Sequence, residues 1–364
     1  MRVLHVAGQL RSSPGILRQM EWEQQAADSL GFDWQSLLMR PVGVSESASP
    51  ILHELDLGRS GHDFRTWIAF RRRYYRYIAE LRPRPDVILL RHNVHDPLQA
   101  RFVARTRNVV TVHHAIEDAE FKALGGRTAG LKSMLEHRFG GATLRNVFGI
   151  CGVTPEILRH EVARSSRADV ATFVYPNGRL LNSESPPDQR DGLRLVFVAS
   201  EFAPWQGLED LIESVVSSTD EFALDVVGQL SASQRLACSR DSRIVDHGLV
   251  DKVELSRILG SASAGIAAMR VDNKGLTQAC TLKVRDYLAA GVPVVSGHDD
   301  VFPDDFPFYR RTGTDIDAML AAAREWRAVD RVTVREAARP HIDKVELVRR
   351  LHEELATAFA SAEG

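Results

Sequence analysis

The stretch Gln278-Ala-Cys-Thr-Leu-Lys-Val-Arg-Asp286-Tyr-Leu-Ala-Ala-Gly291-Val-Pro-Val-Val295 decides the fold of this chain. Its pattern predicts a short loop, a helix, a tight stop and a buried strand. Thr281 is a preferred residue type for the N-cap, because its hydroxyl can accept a hydrogen bond from an amide of the first turn. Gly291 suits the left-handed position after the last turn, and Pro293 prevents the helix from continuing.

The amino end of this predicted helix has the features of an anion site. Free N–H groups there carry a partial positive charge of about half an elementary unit and can hold a phosphate. Lys283 adds a full charge in the first turn, and Asp286 shares its helix face. A cation for phosphate and a carboxylate for ribose hydroxyls form a grip for a nucleoside diphosphate. We therefore expect Thr281, Leu282, Lys283 and Asp286 to bind a nucleotide.

Length and composition favour a two-domain globular protein. The chain has 364 residues, more than one ordinary core needs, with 44% hydrophobic and 26% charged residues. A formal net charge of −2 gives no overall basic field, so nucleic acid is not an expected partner. Cys151, Cys238 and Cys280 have neither metal spacing nor a disulfide pattern, which favours a reducing, cytoplasmic location.

Short apolar runs alternate with amphipathic stretches along the chain, the pattern of an α/β fold. One series of predicted strands occupies Val3–Ala7, Trp34–Met39, Asp86–Leu90, Val109–His113, Phe148–Val153 and Ala171–Tyr175. A second series occupies Leu193–Ala199, Phe222–Val227, Ile244–His247, Ala264–Ala268 and Pro293–Ser296. We expect two Rossmann-like domains, 1–180 and 193–343, joined by a polar linker at 181–192 and facing an interdomain cleft. A last helix, 344–361, is expected to pack back on the first domain.

The segment Asp286–Val295 also resembles a known family. It is similar to the Glu-Ala-Met-Ala-Ala-Gly-x-Pro-Val-Val stretch of glycosyltransferase family 4, retaining enzymes of the GT-B fold that use nucleotide sugars. The family motif has two glutamates separated by seven residues, and these positions hold Gln278 and Asp286 here. The resemblance implies that Gln278 hydrogen-bonds the donor sugar, where relatives use a glutamate.

A second resemblance lies in Phe202-Ala-Pro-Trp-Gln-Gly-Leu-Glu-Asp-Leu-Ile212, after the first strand of the second series. Many relatives carry an arginine and then Lys-Gly in this loop, and those cations stabilise the leaving diphosphate. Gln206 occupies the lysine position here, as in a subgroup with a Pro-Trp-Gln-Gly loop. Trp205 either walls the sugar-phosphate pocket or packs the loop on the sheet, and Gly207 allows a close backbone approach. Lys274 and Arg270 are further candidates for binding the phosphates.

Paired histidines end the fourth strand of the first series, in Thr111-Val-His-His-Ala-Ile-Glu117. The family carries a histidine after the equivalent strand, which implies that His114, or His113, contacts the donor sugar; a structural role is the alternative. His113, Glu117 and Gly15, in the small-residue loop after the first strand, are acceptor-side candidates. Two histidines also suggest a metal, but no third ligand has suitable spacing, so no metal or other cofactor is expected.

The predicted helix Phe64–Leu81 combines an aromatic stripe with Arg65, Arg71, Arg72, Arg73 and Arg76. It is either a domain helix with solvated arginines or a surface that contacts anionic lipid through residues 65–78.

The resemblance predicts a retaining glycosyltransferase, of the hexosyltransferase type, that acts in the cytoplasm or at the inner face of the cell membrane. It would move a sugar from a nucleotide-diphosphate sugar to a hydroxyl of a glycan or lipid-linked acceptor, in bacterial surface polysaccharide synthesis. His114, Lys283 and Gln278 are the expected catalytic groups. A catalytically inactive GT-B-like scaffold is the alternative, since several family positions have changed. A nicotinamide-dependent oxidoreductase is disfavoured, because the chain has no Gly-x-Gly-x-x-Gly fingerprint after its first strand.

Overall fold

The computed structural model describes all residues except 12, 45–47, 59, 60, 62, 125–128, 182–187 and 364. It divides into two compact units, one of Met1–Pro176 with Lys344–Gly364 and one of Asn177–Asp343. Half of the predicted linker 181–192, residues 182–187, lies outside the described residues.

The first unit is built on a parallel sheet of seven strands. The strands are β1 (Val3–Gly8), β2 (Trp34–Pro41), β3 (Leu52–Leu55), β4 (Val87–Arg91), β5 (Val109–His113), β6 (Gly149–Gly152) and β7 (Ala171–Val174). Their order is β3-β2-β1-β4-β5-β6-β7, so the chain changes direction across the sheet between β1 and β4. The carboxyl ends of strands beside such a switch point are the usual place for ligands.

Helices cover this sheet and bury its apolar strands. They are α1 (Pro14–Ser29), α2 (Phe64–Glu80), α3 (Pro97–Arg105), α4 (Glu117–Leu124), α5 (Ala129–Leu144) and α6 (Pro155–Ser165). The last helix of the chain packs on the same unit, with the ring of Phe359 stacked 3.7 Å from that of Phe148. Helix starts follow their capping residues: Asp63 accepts a hydrogen bond from the amide of Thr66 at 2.7 Å.

The second unit has a parallel sheet of six strands. They are β8 (Arg194–Glu201), β9 (Ala223–Gln229), β10 (Ile244–Gly248), β11 (Ala264–Ile266), β12 (Val294–Ser296) and β13 (Tyr309–Arg311), in the order β10-β9-β8-β11-β12-β13. The helices are α7 (Leu208–Ser217), α8 (Ala232–Cys238), α9 (Lys252–Ser261), α10 (Leu282–Ala289), α11 (Ile316–Trp326), α12 (Arg331–Ile342) and, returning to the first unit, α13 (Lys344–Glu363). Short 3₁₀ turns occupy Pro204–Gln206 and Val271–Lys274. The switch point of this sheet lies between β8 and β11.

Several elements lack a strong sequence signal and were not predicted, among them β3, α8, β13 and α12. β3 and β13 are short strands at sheet edges, and apart from the buried Leu55 their side chains are exposed or half-exposed, so they show no apolar run. α12 contains Pro340 near its carboxyl end, a residue that usually marks a helix boundary.

The basic helix corresponds to α2. Phe70, Tyr74 and Ile78 are buried, whereas Arg72 and Arg76 are exposed. Arg71 departs from the expected cationic face, since it is buried and its Nε donates to Asp96 Oδ2 at 2.6 Å. No helix in the described ranges combines the length and apolar character that crossing a bilayer requires.

Candidate functional site

The loops after β8 and β11 meet at the switch point of the second unit. The main-chain amides of Met269 and Arg270 donate to the carbonyl oxygens of Gln206 and Trp205 at 3.0 and 3.1 Å. Gly207 has a φ of +74°, and a Cβ there would lie 2.8 Å from Met269 Cβ and 2.9 Å from Arg270 Cγ. The close backbone approach expected at Gly207 is therefore to the loop after β11.

The predicted helix 282–290 is α10, and Thr281 occupies its N-cap position with extended backbone. The predicted capping hydrogen bond is wrong, because the Thr281 hydroxyl does not accept from the first turn. Its Oγ1 is buried and has no hydrogen-bond partner among the described residues. The amino end of α10 thus keeps first-turn amides without intrahelical partners and adds an unsatisfied hydroxyl.

Lys283 lies at the switch point, in the first turn of α10. Its Nζ donates to Gln206 Oε1 at 2.7 Å and lies 4.7 Å from the ring centroid of Phe197 in β8. Within the described part of the chain, no carboxylate lies within ion-pair distance of this amine. Burial lowers the pKa of Lys283 from 10.5 to about 7, because the charged form loses water. The amine is held by a neutral amide and can interact strongly with an anion.

Asp286 shares this face of α10 and pairs with Arg179. Its carboxylate is 39% exposed, so solvent reaches it, but a ribose would have to share it with the guanidinium.

The neighbouring Arg285 was not predicted as part of the site. It is fully buried, forms a two-pronged ion pair with Asp300 at 2.5 and 2.7 Å, and donates to the Asn177 carbonyl at 3.1 Å. These contacts fix the orientation of α10. No signal in the sequence indicated that Arg285 would be fully buried, because its partner Asp300 lies outside the helix.

The other predicted donor-side cations differ in their surroundings. Arg270 is paired with Asp210 at 2.5 Å and with Asp272 at 3.3 Å, so its charge is already balanced. Lys274 Nζ lies 4.1 Å from the ring centroid of Trp205, and both side chains are half-buried. The Trp205 ring therefore makes a cation–π contact with Lys274, in addition to the main-chain contacts of its loop.

Gln278 precedes α10 in a segment held by main-chain pairing. A parallel bridge joins Gln278 to Asp299, and the amides of Ala279 and Asp299 donate at 3.0 Å across it. The side chain of Gln278 is half-buried. The pairing places this residue on the loop that leads directly into the amino end of α10.

A cavity of about 470 Å³ opens at the switch point of the first unit. Its lining includes Gly8 and Gln9 after β1 and Asn93 after β4, with Arg11, Trp67 and Lys132 around them. Gly15 lies in the first turn of α1, so the predicted loop 7–15 is shorter than expected and ends at Ser13. The lining side chains from α2 and α5 could not be assigned to this cavity from sequence, because helix contacts with the loop depend on the tertiary fold.

The two adjacent histidines differ in environment. His113 is completely buried at the end of β5, with Nδ1 3.7 Å from Glu117 Oε2 and 3.9 Å from Glu161 Oε2. His114 is half-buried and its Nε2 has no partner in the described part of the chain. Burial and the nearby Arg91 lower the pKa of His114 well below its ordinary value, so the imidazole is neutral. Of the two, His114 is the less buried residue, although its Nε2 is itself buried.

The sequence argument against a third metal ligand near His113 is wrong. The fold brings His92, His95, Glu136 and Glu161 to the same place, and all are buried. His92 directly follows a buried strand, which was the available sequence signal.

A separate buried network centres on Glu23 of α1. Its carboxylate accepts hydrogen bonds from Trp34 Nε1 at 3.1 Å and the Tyr175 hydroxyl at 2.9 Å, and contacts His5 Nδ1 at 2.6 Å. Burial alone would raise the pKa of Glu23, but the interactions with His5, Lys344 and Tyr175 lower it to about 2. This network ties the start of α13 to β1, β2 and α1.

Comparison with known proteins identifies similar folds. The apo lipopolysaccharide outer core galactosyltransferase WaaB has 11% sequence identity and a TM-score of 0.66, over 98% of this chain and 99% of that one. A sucrose-phosphate synthase from Thermosynechococcus elongatus has 15% identity and a TM-score of 0.68, over 99% and 100%. Anabaena HepE in complex with UDP and glucose has 12% identity and a TM-score of 0.64, over 98% and 100%. No family model and no curated protein matches the chain. The predicted GT-B fold class, with two Rossmann-like α/β domains, is confirmed.

Proposed function

We propose that this protein is a retaining glycosyltransferase of the hexosyl type that uses a nucleotide-diphosphate sugar. The observation that carries the proposal is Lys283, an ammonium group without a carboxylate partner among the described residues, at the amino end of α10. A desolvated cation beside first-turn amides suits a diphosphate. Lys283 lies at a sheet switch point, the usual place for ligands in such sheets, and HepE, which has a similar fold, has solved complexes with UDP and with UDP-glucose.

In the proposed reaction, the site must above all stabilise the negative charge on the leaving diphosphate. The first-turn amides of α10 and the Lys283 ammonium would stabilise that charge, because groups fixed in advance lose little energy to reorganisation. Lys274, whose Nζ lies over the ring of Trp205, is a second cation in this part of the second unit. Arg270 contributes less, since Asp210 and Asp272 balance its charge.

The remaining roles follow from the same positions. The Asp286 carboxylate would bind the ribose hydroxyls while it also pairs with Arg179. Gln278 would hydrogen-bond the donor sugar from the loop before α10. His114, kept neutral by its surroundings, would accept or donate a hydrogen bond to a sugar hydroxyl. The acceptor would use the cavity beside Asn93 in the first unit, as a glycan or lipid-linked hydroxyl.

The decisive experiment measures binding and turnover with UDP-, GDP- and dTDP-sugars. We expect one of them to raise the melting temperature and to release its nucleoside diphosphate, with no effect from the nucleoside alone. Lys283→Met should lose these effects. Lys252→Met is its matched control, since Lys252 also lies in the first turn of a helix of the second unit but is exposed. It should behave as the wild type.

A non-catalytic GT-B-like scaffold is the competing function. The absence of both thermal protection and diphosphate release with the whole panel would support it and reject the transferase. Protection without release or transfer, even with lipid-linked acceptors present, would show a nucleotide-binding protein that has lost catalysis.

We further propose that the enzyme binds an anionic membrane through α2 and α3, to reach a lipid-linked acceptor in surface polysaccharide synthesis. A hollow of about 600 Å³ in the first unit is bordered by six exposed arginines, Arg72, Arg76, Arg84, Arg101, Arg105 and Arg107. Each basic residue near an anionic surface contributes about 1 kcal/mol.

Co-sedimentation with phosphatidylserine vesicles tests this surface. The double variant Arg72→Glu/Arg76→Glu should bind at least about 30-fold more weakly, a loss of roughly 2 kcal/mol. Arg235→Glu/Arg240→Glu makes the same charge change on exposed arginines of the second unit and should bind normally. If both double variants lost vesicle binding equally, the loss would be a general effect of charge, and the proposed surface would be rejected.

A further inference from the structure

The carboxyl edge of the first sheet holds a buried group of ionisable side chains. His92 follows β4, His113 ends β5, and Glu117 begins α4. His95 precedes α3, while Glu136 and Glu161 come from α5 and α6. Each of these side chains is at most 6% exposed. The proposed transferase chemistry gives this group, as a whole, no role.

Many polar atoms of this group have no hydrogen-bond partner in the part of the chain that the structure describes. They are His92 Nδ1, His95 Nε2, both ring nitrogens of His113 and Glu117 Oε2. Leaving a buried polar group unsatisfied costs about 1–3 kcal/mol. A bound ligand would satisfy several of these buried polar atoms at once.

The separations between these atoms fit a shared cation. His113 Nδ1 lies 3.7 Å from Glu117 Oε2 and 3.9 Å from Glu161 Oε2, and His95 Nε2 lies 3.7 Å from Glu136 Oε1. These distances are too long for hydrogen bonds. Tetrahedral zinc with bonds of about 2.0–2.1 Å separates its ligand atoms by roughly 3.3 Å, so small movements would complete a site. One ligand atom from each of His92, His113 and Glu117 lies within 4.8 Å of the others.

The surroundings also resemble the support that metal-binding histidines usually have. His92 Nε2 lies 3.3 Å from Glu136 Oε2, and His92 Nδ1 is buried without a hydrogen-bond partner among the described residues. Glu136 is held in turn by the main-chain amide of His95 at 2.9 Å and by Arg164 Nη2 at 2.9 Å. A Cβ on Gly140 would lie 2.0 Å from Arg164 Nη2, so a larger residue there would displace the guanidinium from its present position.

We propose that the first unit contains a binding site for one divalent transition-metal ion, with His92, His113 and Glu117 as ligands. Imidazole nitrogen with carboxylate oxygen is a donor set that Zn²⁺ and its neighbours favour over Mg²⁺ or Ca²⁺. Arg164 balances part of the charge on Glu136 and Glu161, and Glu117 has no such ion pair with a lysine or arginine among the described residues. Because all three ligands are buried, the ion would stabilise the fold around the ends of β4 and β5.

Metal analysis of the full-length, tag-free protein tests this site. After growth with Zn²⁺ and gel filtration, we expect about one zinc per chain. Chelation should lower the melting temperature, and added Zn²⁺ should restore it. Co²⁺ added to the apo protein should give the visible absorption bands of a four- or five-coordinate ion, a readout that needs no variant and no transferase activity.

Variants then locate the ion. His113→Asn and Glu117→Gln should retain less than a tenth of the zinc, and Glu136→Gln should weaken Zn²⁺ binding by about 10–100-fold. His137→Gln is the matched control, because His137 is next to Glu136 in α5 but its side chain is 66% exposed.

Two results would overturn the site. The first is a protein without zinc whose melting temperature and Co²⁺ spectrum do not respond to metal, which would leave a hydrogen-bonded cluster. The second is loss of the zinc in His137→Gln with retention in His113→Asn, which would place the ion on the surface.

Discussion

Replacing Lys283 by methionine should separate catalysis from stability. Methionine keeps the length and the packing against Phe197 but removes the charge. Since Gln206 is its only polar side-chain partner in the described part of the chain, the ammonium interacts with the leaving diphosphate without competition from a carboxylate. Loss of one preorganised charge-stabilising group typically costs about 100–1,000-fold in kcat, or roughly 2.7–4 kcal/mol. We expect a decrease of this size at saturating donor.

Although its kcat should fall, Lys283→Met should not lose folding stability. The pKa of Lys283 is about 7 in the folded chain and 10.5 in the unfolded chain, so the unfolded chain binds the proton more tightly between these values. The resulting penalty is present in full below pH 7 and decreases as the pH rises to 10.5. Lys283→Met should therefore be at least as stable as the wild type at pH 7, and it should lose this pH dependence.

Nucleotide affinity provides an independent measure of the same charge. A bound diphosphate favours the protonated amine, so affinity for the nucleoside diphosphate should fall by up to about tenfold per unit as the pH rises above 7. Binding should also take up protons, which calorimetry in buffers of different ionisation enthalpy detects. Lys283→Met should show neither effect.

The assays are steady-state release of the nucleoside diphosphate, thermal unfolding and calorimetry across pH. Lys252→Met is the control for removal of a lysine from a helix start, and Lys283→Arg tests whether charge alone is sufficient. Full activity of Lys283→Met, with normal nucleotide affinity at pH 7, would refute the reasoning about α10.

Three further predictions concern other parts of the molecule. Asp286→Ala should weaken nucleotide binding by about 10–100-fold, whereas Arg179→Met, which breaks the same ion pair but keeps the carboxylate, should not; equal losses would make the pair structural. Gly207→Ala should be less stable to denaturant than Gly248→Ala by about 1–3 kcal/mol, since both have positive φ but a Cβ contacts the neighbouring loop only at Gly207. Glu23→Gln should cost about 3 kcal/mol at pH 7, a difference that disappears as the pH falls from 4.5 to about 2, where wild-type Glu23 is itself protonated; a constant difference would contradict the low pKa.

Local signals predicted most of the secondary structure. β5 begins and ends at the predicted residues Val109 and His113, and α10 ends one residue before the predicted end. β3 was missed because a short edge strand does not need the apolar run that identifies a buried one.

Some features of the candidate site followed from the local sequence, and others depended on the tertiary structure. The sequence by itself determined the helix at 282–289 and the presence of a lysine in its first turn, because N-cap, glycine and proline signals act within a few residues. Only the tertiary structure decided the partners: Gln206 for Lys283, Arg179 for Asp286, and two aspartates for Arg270.

The histidine–glutamate cluster is the clearest case of a feature that the sequence did not reveal. His92 and His113 are adjacent because β4 and β5 are parallel neighbours whose carboxyl ends share one edge, and Glu136 and Glu161 reach them from two separate helices. Pattern and spacing report contacts along the chain, whereas burial, charge balance and ligand geometry depend on which distant segments the sheet order brings together.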